Sequence, residues 1–167
     1  SYDGSGNVVP DSGCGSWLWE PQSTNLFAYS EDFSNSYWSK TSQGSAAAPI
    51  VTDNYAVSPD GTQNATRVQF DAVGSTSLDR SGLVRNFSFT TGQTYSISCW
   101  VKSTDETNQV IQFRLAGVQV PEEQIATSEW KLYTATFTST TTTTDNFGMQ
   151  IRGTNSVNES DILIYGM

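Results

Sequence analysis

Tyr95-Ser-Ile-Ser-Cys-Trp-Val-Lys102 is the stretch that decides the fold. Tyr95, Ile97, Cys99 and Val101 fall on one phase of a period-two pattern; Ser96, Ser98, Trp100 and Lys102 fall on the other. In a strand, residues i and i+2 share a face. The stretch therefore reads as a strand with one buried face and one polar face, and the polar face carries an indole. The same period recurs outward in both directions, in Ala65–Phe70, Leu83–Phe89, Gln109–Ala116, Trp130–Ser139, Asn146–Gly153 and Asp161–Met167. Shorter strands are expected near Asn25–Tyr29, toward the end of Ser34–Lys40 and within Ser45–Asn54. Ser58-Pro59-Asp60-Gly61 and Thr91-Gly92-Gln93 separate strands as turns, because Pro presets φ and Gly tolerates positive φ. No window of 11 or more residues carries a helical period; Pro121–Ser128 holds one helical turn at most. Many short strands at regular intervals predict an all-β, two-sheet antiparallel β-sandwich.

The chain has 167 residues, enough for one domain with a substantial core. Residues 1–16 are rich in Gly, Ser and Asp and read as an irregular N-terminal arm; 17–167 read as the sandwich. The net charge is −9, with 8 Lys plus Arg. So acidic a chain is a poor match for nucleic acid or anionic membranes, both of which are gripped by basic patches. It has no run of about 18 apolar residues to insert in a membrane. It has no histidine, so the commonest general base and zinc ligand are missing. Cys99 lies on the core phase and reads as a free buried thiol; a Cys14–Cys99 bridge stays open as the alternative.

Three strands put polar, ring or guanidinium groups on the outward phase: Trp100 and Lys102, Gln112 and Arg114, and Gln150 and Arg152. Gathered in one sheet, they would form a surface suited to sugars. Sugar C–H faces stack on an indole, and hydroxyls take hydrogen bonds from planar amides and the rigid guanidinium fork. The competing reading is a solvated sheet face, the default of any antiparallel sandwich. Glycoside hydrolysis needs two carboxylates about 5–10 Å apart. Glu122-Glu123 and Asp105-Glu106 are adjacent pairs that would point apart in a strand, so no catalysis is expected.

Residues 17–38 carry three of the five tryptophans. Their Glu20-Pro21-Gln22, Thr24-Asn25-Leu26, Tyr29-Ser30-Glu31-Asp32-Phe33 and Trp38 resemble the opening of jelly-roll modules of the carbohydrate-binding-module type. The nearest forms are those of phage tail or head fibre proteins and marine bacterial surface proteins. The Ser58–Val68 turn, Ser128-Glu129-Trp130 and Asp161-Ile-Leu-Ile-Tyr-Gly-Met167 extend the resemblance. It implies a jelly roll, non-catalytic binding of a glycan, and a place outside the cell or on a virion surface. The alternative it implies is a structural virion domain acting through protein contacts with other subunits. It also implies a structural calcium, for which Glu31, Asp32 and Asp161 are the candidate ligands; Ser34 stands where enzyme-linked members carry a Glu. Trp17 and Trp19 would pack the arm or form platforms, and Trp38 and Trp130 would fill the core edge.

Overall fold

The computed structural model describes residues 25–115 and 122–167. The arm, Trp17, Trp19, Cys14 and the Glu20–Gln22 motif lie outside the described residues. The strands are β1 (Ser39–Gln43), β2 (Ala47–Ala56), β3 (Ala65–Asp71), β4 (Arg80–Phe89), β5 (Thr94–Ser103), β6 (Gln109–Ile111), β7 (Phe113–Arg114), β8 (Gln124–Ala126), β9 (Lys131–Thr138), β10 (Thr143–Arg152) and β11 (Glu159–Tyr165). They form a four-stranded sheet, β1-β4-β10-β7, and a five-stranded sheet, β2-β3-β11-β5-β9, with β6 and β8 as a small third pair. Every pairing is antiparallel. This is an all-β two-sheet sandwich, as the alternation predicts, and a jelly roll, as the resemblance implies.

The core lies between the two large sheets and is built by the expected phases. Ile97, Cys99 and Val101 of β5 meet Phe147, Met149 and Ile151 of β10, with Val68, Ile162 and Ile164 beside them. Fully burying one such side chain is worth about 1.5–3 kcal/mol. Cys99 is a free thiol, and burial pushes its pKa up to about 12; it acts as a small apolar side chain. At one end the rings of Trp38, Phe27, Phe147, Phe89, Tyr95 and Phe137 pack in succession, Phe27 against Trp38 at 4.9 Å and Phe89 against Tyr95 at 5.0 Å between centroids.

Four expectations are corrected. Asn25–Tyr29 forms no strand: Tyr29 takes φ 56°, which breaks an extended run, and the segment turns instead. Its aromatics still enter the core, since Phe27, Phe33 and Trp38 are buried and the Trp38 indole donates to the Tyr29 carbonyl at 2.9 Å. Pro121–Ser128 holds the strand β8 rather than a helical turn. Gln109–Ala116 is two strands, not one: β6 pairs with β8, and β7 crosses to β10. Trp130 is half-buried ahead of β9, unlike Trp38 at 2% exposure.

Candidate functional site

The expected single face divides between the two sheets. Trp100 and Lys102 belong to β5 in the five-stranded sheet; Arg114 belongs to β7, and Gln150 and Arg152 to β10, in the four-stranded sheet. Gln112 joins β6 to β7 and is buried, its carbonyl accepting from the Gln150 amide N–H at 2.9 Å. The cause is geometric: phase tells whether a residue points inward or outward, whereas the two sheets of a sandwich turn their outward faces in opposite directions.

On the four-stranded sheet the outward phases converge on a groove of about 200 Å³. Its lining includes Thr41, Gln43, Arg80, Arg114, Asn146 and Gln150. Gly82 lines its floor, and Gly148 stands opposite the lining residue Val84. Gly148 has φ 152°, and a Cβ there would stand 2.4 Å from the Leu83 carbonyl oxygen. Gly82, the register partner of Gln150, would put a Cβ 2.9 Å from the Thr41 hydroxyl oxygen. β4 and β10 thus approach closely beneath the groove, and long side chains from their neighbours close over the floor. Gln150 is only 2% exposed; its Oε1 accepts from Arg114 Nη1 at 3.2 Å, and Arg114 Nη2 reaches Asp145 Oδ1 at 3.2 Å.

The electrostatics of this face are unusual for so acidic a chain. Arg80 and Arg152 stand directly opposite each other in the β4–β10 ladder. Arg114 stands opposite Gly148, on the same phase as Gln150 and Arg152. Burial and then the charge of Arg114 lower the Arg80 pKa, and burial followed by Arg80 and Arg114 lowers that of Arg152. Three guanidinium groups therefore feel one another. Arg80 was missed in the sequence because the strand was started at Leu83; extending the period back three residues places Arg80, Gly82 and Val84 on the outward phase. Asn146 and Gln43 carried no signal beyond being polar.

The other outward face is built differently. Trp100 is flanked in register by Leu132 on β9 and Tyr165 on β11, making a short ring-and-aliphatic strip. Leu132 is 44% exposed, and Trp100 and Tyr165 are half-buried. The Tyr165 hydroxyl donates to Asp60 at 2.9 Å; this bond, first, with burial and the nearby Glu31, raises its pKa to about 12. Farther along the same face Lys102 neighbours Leu163, and Arg67 is held by Asp161 through two bonds of 2.9 and 2.5 Å.

The proposed calcium ligands are not brought together. Asp161 is committed to Arg67, Asp32 accepts from the Asn35 amide and side chain, and Glu31 lies toward Tyr165. Among the described residues no group of three His, Cys, Asp or Glu side chains gathers in a way that could hold a metal. Glu31, Asp32 and Asp161 therefore do not gather into a three-carboxylate cluster.

No protein-family model matches the chain, and no curated protein matches it. Among solved structures, it is similar to the N-terminal CBM22-1–GH10 modules of a Clostridium thermocellum endo-1,4-β-D-xylanase, complexed with xylohexaose. The TM-score is 0.50 at 15% identity, over 78% of this chain and 25% of that one. The chain thus spans about a quarter of the xylanase chain's length. It also matches a CBM4 structure, with TM-score 0.40 and 11% identity over 72% of this chain and 87% of that one. A further match is BiXyn10A CBM1 in its apo form, with TM-score 0.39 and 13% identity over 74% and 92%. At these identities the likeness is one of fold.

Proposed function

We propose that this chain is a non-catalytic glycan-binding module whose site is the groove on the four-stranded sheet. The observation that carries this reading is the convergence of planar, multivalent donors and acceptors (Arg80, Arg114, Gln150 and Asn146) in one groove over a glycine floor. Sugars present hydroxyls in fixed directions, and planar amides and guanidinium forks match them at low entropy cost. Each neutral hydrogen bond nets only about 1 kcal/mol, so a single site binds weakly, and repetition raises avidity. The fold shared with a xylanase carbohydrate-binding module supports the class without naming the sugar. Among the described residues the groove lining holds no carboxylate; Asp145 lies next to it, bonded to Arg114, whereas glycoside hydrolysis uses two. Affinity electrophoresis through gels containing different polysaccharides tests the proposal. Retardation by at least one, reduced by Gln150→Ala, is expected; free migration through all of them would overturn it.

A second reading places the sugar on the Trp100–Leu132–Tyr165 strip, favoured by a half-exposed indole beside a phenol. Under it, Trp100→Ala abolishes retardation and Gln150→Ala does not.

A further inference from the structure

Like charges placed directly opposite in an antiparallel ladder destabilise it. Arg80 and Arg152 are so placed, and Arg114 lies on the adjoining strand. Asp145 acts favourably on Arg80, yet the nearby acids have bonds of their own. Asp145 is bonded to Arg114, Glu123 accepts from Asn155 and Ser156, and Asp79 accepts from the Ser45 and Thr76 amides. Arg80 donates from Nε to the Ser77 carbonyl at 2.8 Å, a neutral acceptor. The Nε atoms of Arg114 and Arg152 are buried with no hydrogen-bond partner. An unpaired N–H on a charged group costs more than a neutral one, because it forfeits charge-assisted bonds. Three of the chain's 8 basic residues thus lie together, in a molecule of net charge −9, and among the described residues one of them is ion-paired.

Arg67 shows what a structural arginine looks like in the same molecule: two bonds to one carboxylate and a place over the Tyr55 ring at 5.0 Å. The groove arginines lack that completeness. Among the described residues the groove lining also holds no aromatic platform, so sugar stacking is not its mode of recognition. Its volume, below the roughly 300–1,000 Å³ of a drug-sized pocket, suits one substituted sugar unit.

Resting on the glycan-binding reading, we infer that the groove takes an anionic sugar, whose carboxylate or sulfate takes hydrogen bonds from Arg80 and Arg114, which line it, and neutralises Arg152, which stands opposite Arg80 beside it. A planar or tetrahedral oxyanion accepts several N–H donors at once and neutralises the repulsion across the ladder.

Calorimetric titration of the full chain with polygalacturonate, dextran sulfate and uncharged dextran tests this. Binding to at least one acidic polymer is expected, weakened by added salt; the polymer preferred identifies carboxylate or sulfate. Arg152→Gln, which removes an Nε that has no hydrogen-bond partner, should weaken it by about tenfold, the loss of one charge-assisted bond. Arg80→Gln should act in the same direction, and unchanged melting temperatures establish that both variants fold. Dextran bound as tightly as the acidic polymers would overturn the anion while leaving glycan binding intact. Acidic binding unmoved by either variant would also overturn it. Thermal melting in sodium sulfate against sodium chloride judges the anion without any sugar. A larger gain in the wild type than in the Arg80→Gln/Arg152→Gln double variant supports the inference, and equal gains overturn it.

Discussion

The two outward faces of this sandwich differ in how they treat charge. On the five-stranded sheet, Arg67 and Asp161 neutralise each other beside a Trp–Leu–Tyr strip. On the four-stranded sheet, Arg80, Arg114 and Arg152 lie together, Arg114 alone is ion-paired, with Asp145, and among the described residues the groove lining holds no ring. On the first face the arginine has its carboxylate within the protein. The second is organised around groups that protein atoms leave incomplete. Residue type alone does not separate the two, since both faces hold arginine; the difference lies in what each guanidinium touches.

The largest effect should come from the groove floor. Gly148→Val places a β-branched side chain at positive φ against the Leu83 carbonyl, and such clashes with strain cost about 3 kcal/mol or more. Urea denaturation should show that loss together with loss of binding. A variant of wild-type stability would mean that the close β4–β10 approach is not required.

Next come the arginines. Arg67→Gln removes a half-exposed ion pair and should cost up to about 1 kcal/mol after solvent screening, without touching glycan affinity. Arg152→Gln should be neutral or raise stability by a few tenths of a kcal/mol, while weakening binding. Paired denaturation and binding curves for the two variants sharpen the contrast, and an exchange of their phenotypes would break it.

Asp79 supplies a smaller, pH-dependent effect. It anchors the loops beside Arg80 by accepting from the Ser45 and Thr76 amides and the Thr76 hydroxyl, and these bonds lower its pKa to about 2. A carboxylate depressed in the folded state stabilises fully above its unfolded pKa near 3.9, and the contribution fades as pH falls toward 2. Melting temperatures of wild type and Asp79→Asn should therefore differ by a constant amount above about pH 5 and converge between about pH 4 and 2. A gap that persists to pH 2 would assign the stabilisation to packing instead. Smallest of all, chelation with EDTA should leave the melting temperature unchanged, because Glu31, Asp32 and Asp161 do not converge; a clear fall would reveal another set of cation ligands.

Much of the fold was legible in the sequence because alternation is a local property. The strands containing Val68, Ile97, Phe137, Met149 and Ile162 stand where their periods place them, and their inward phases form the core. What stayed hidden is non-local. Val110, Ile111 and Phe113 read as one strand, yet the chain changes sheets at Gln112, which no period of two can announce. For the same reason the phase groups Arg114, Gln150 and Arg152 with Trp100 and Lys102, which lie in the other sheet. Tyr29 turned a β-rich segment into a bend, since side-chain type does not report φ. Arg80 was lost at a strand boundary, the least certain feature of any pattern reading.

The most direct measurement follows both faces at once. NMR of the full chain during a titration with oligogalacturonate should shift the Nε–H resonances of Arg114 and Arg152 and leave the Trp100 indole N–H unmoved. Movement of the Trp100 indole with static arginine signals would contradict the account and move the binding site to the five-stranded sheet.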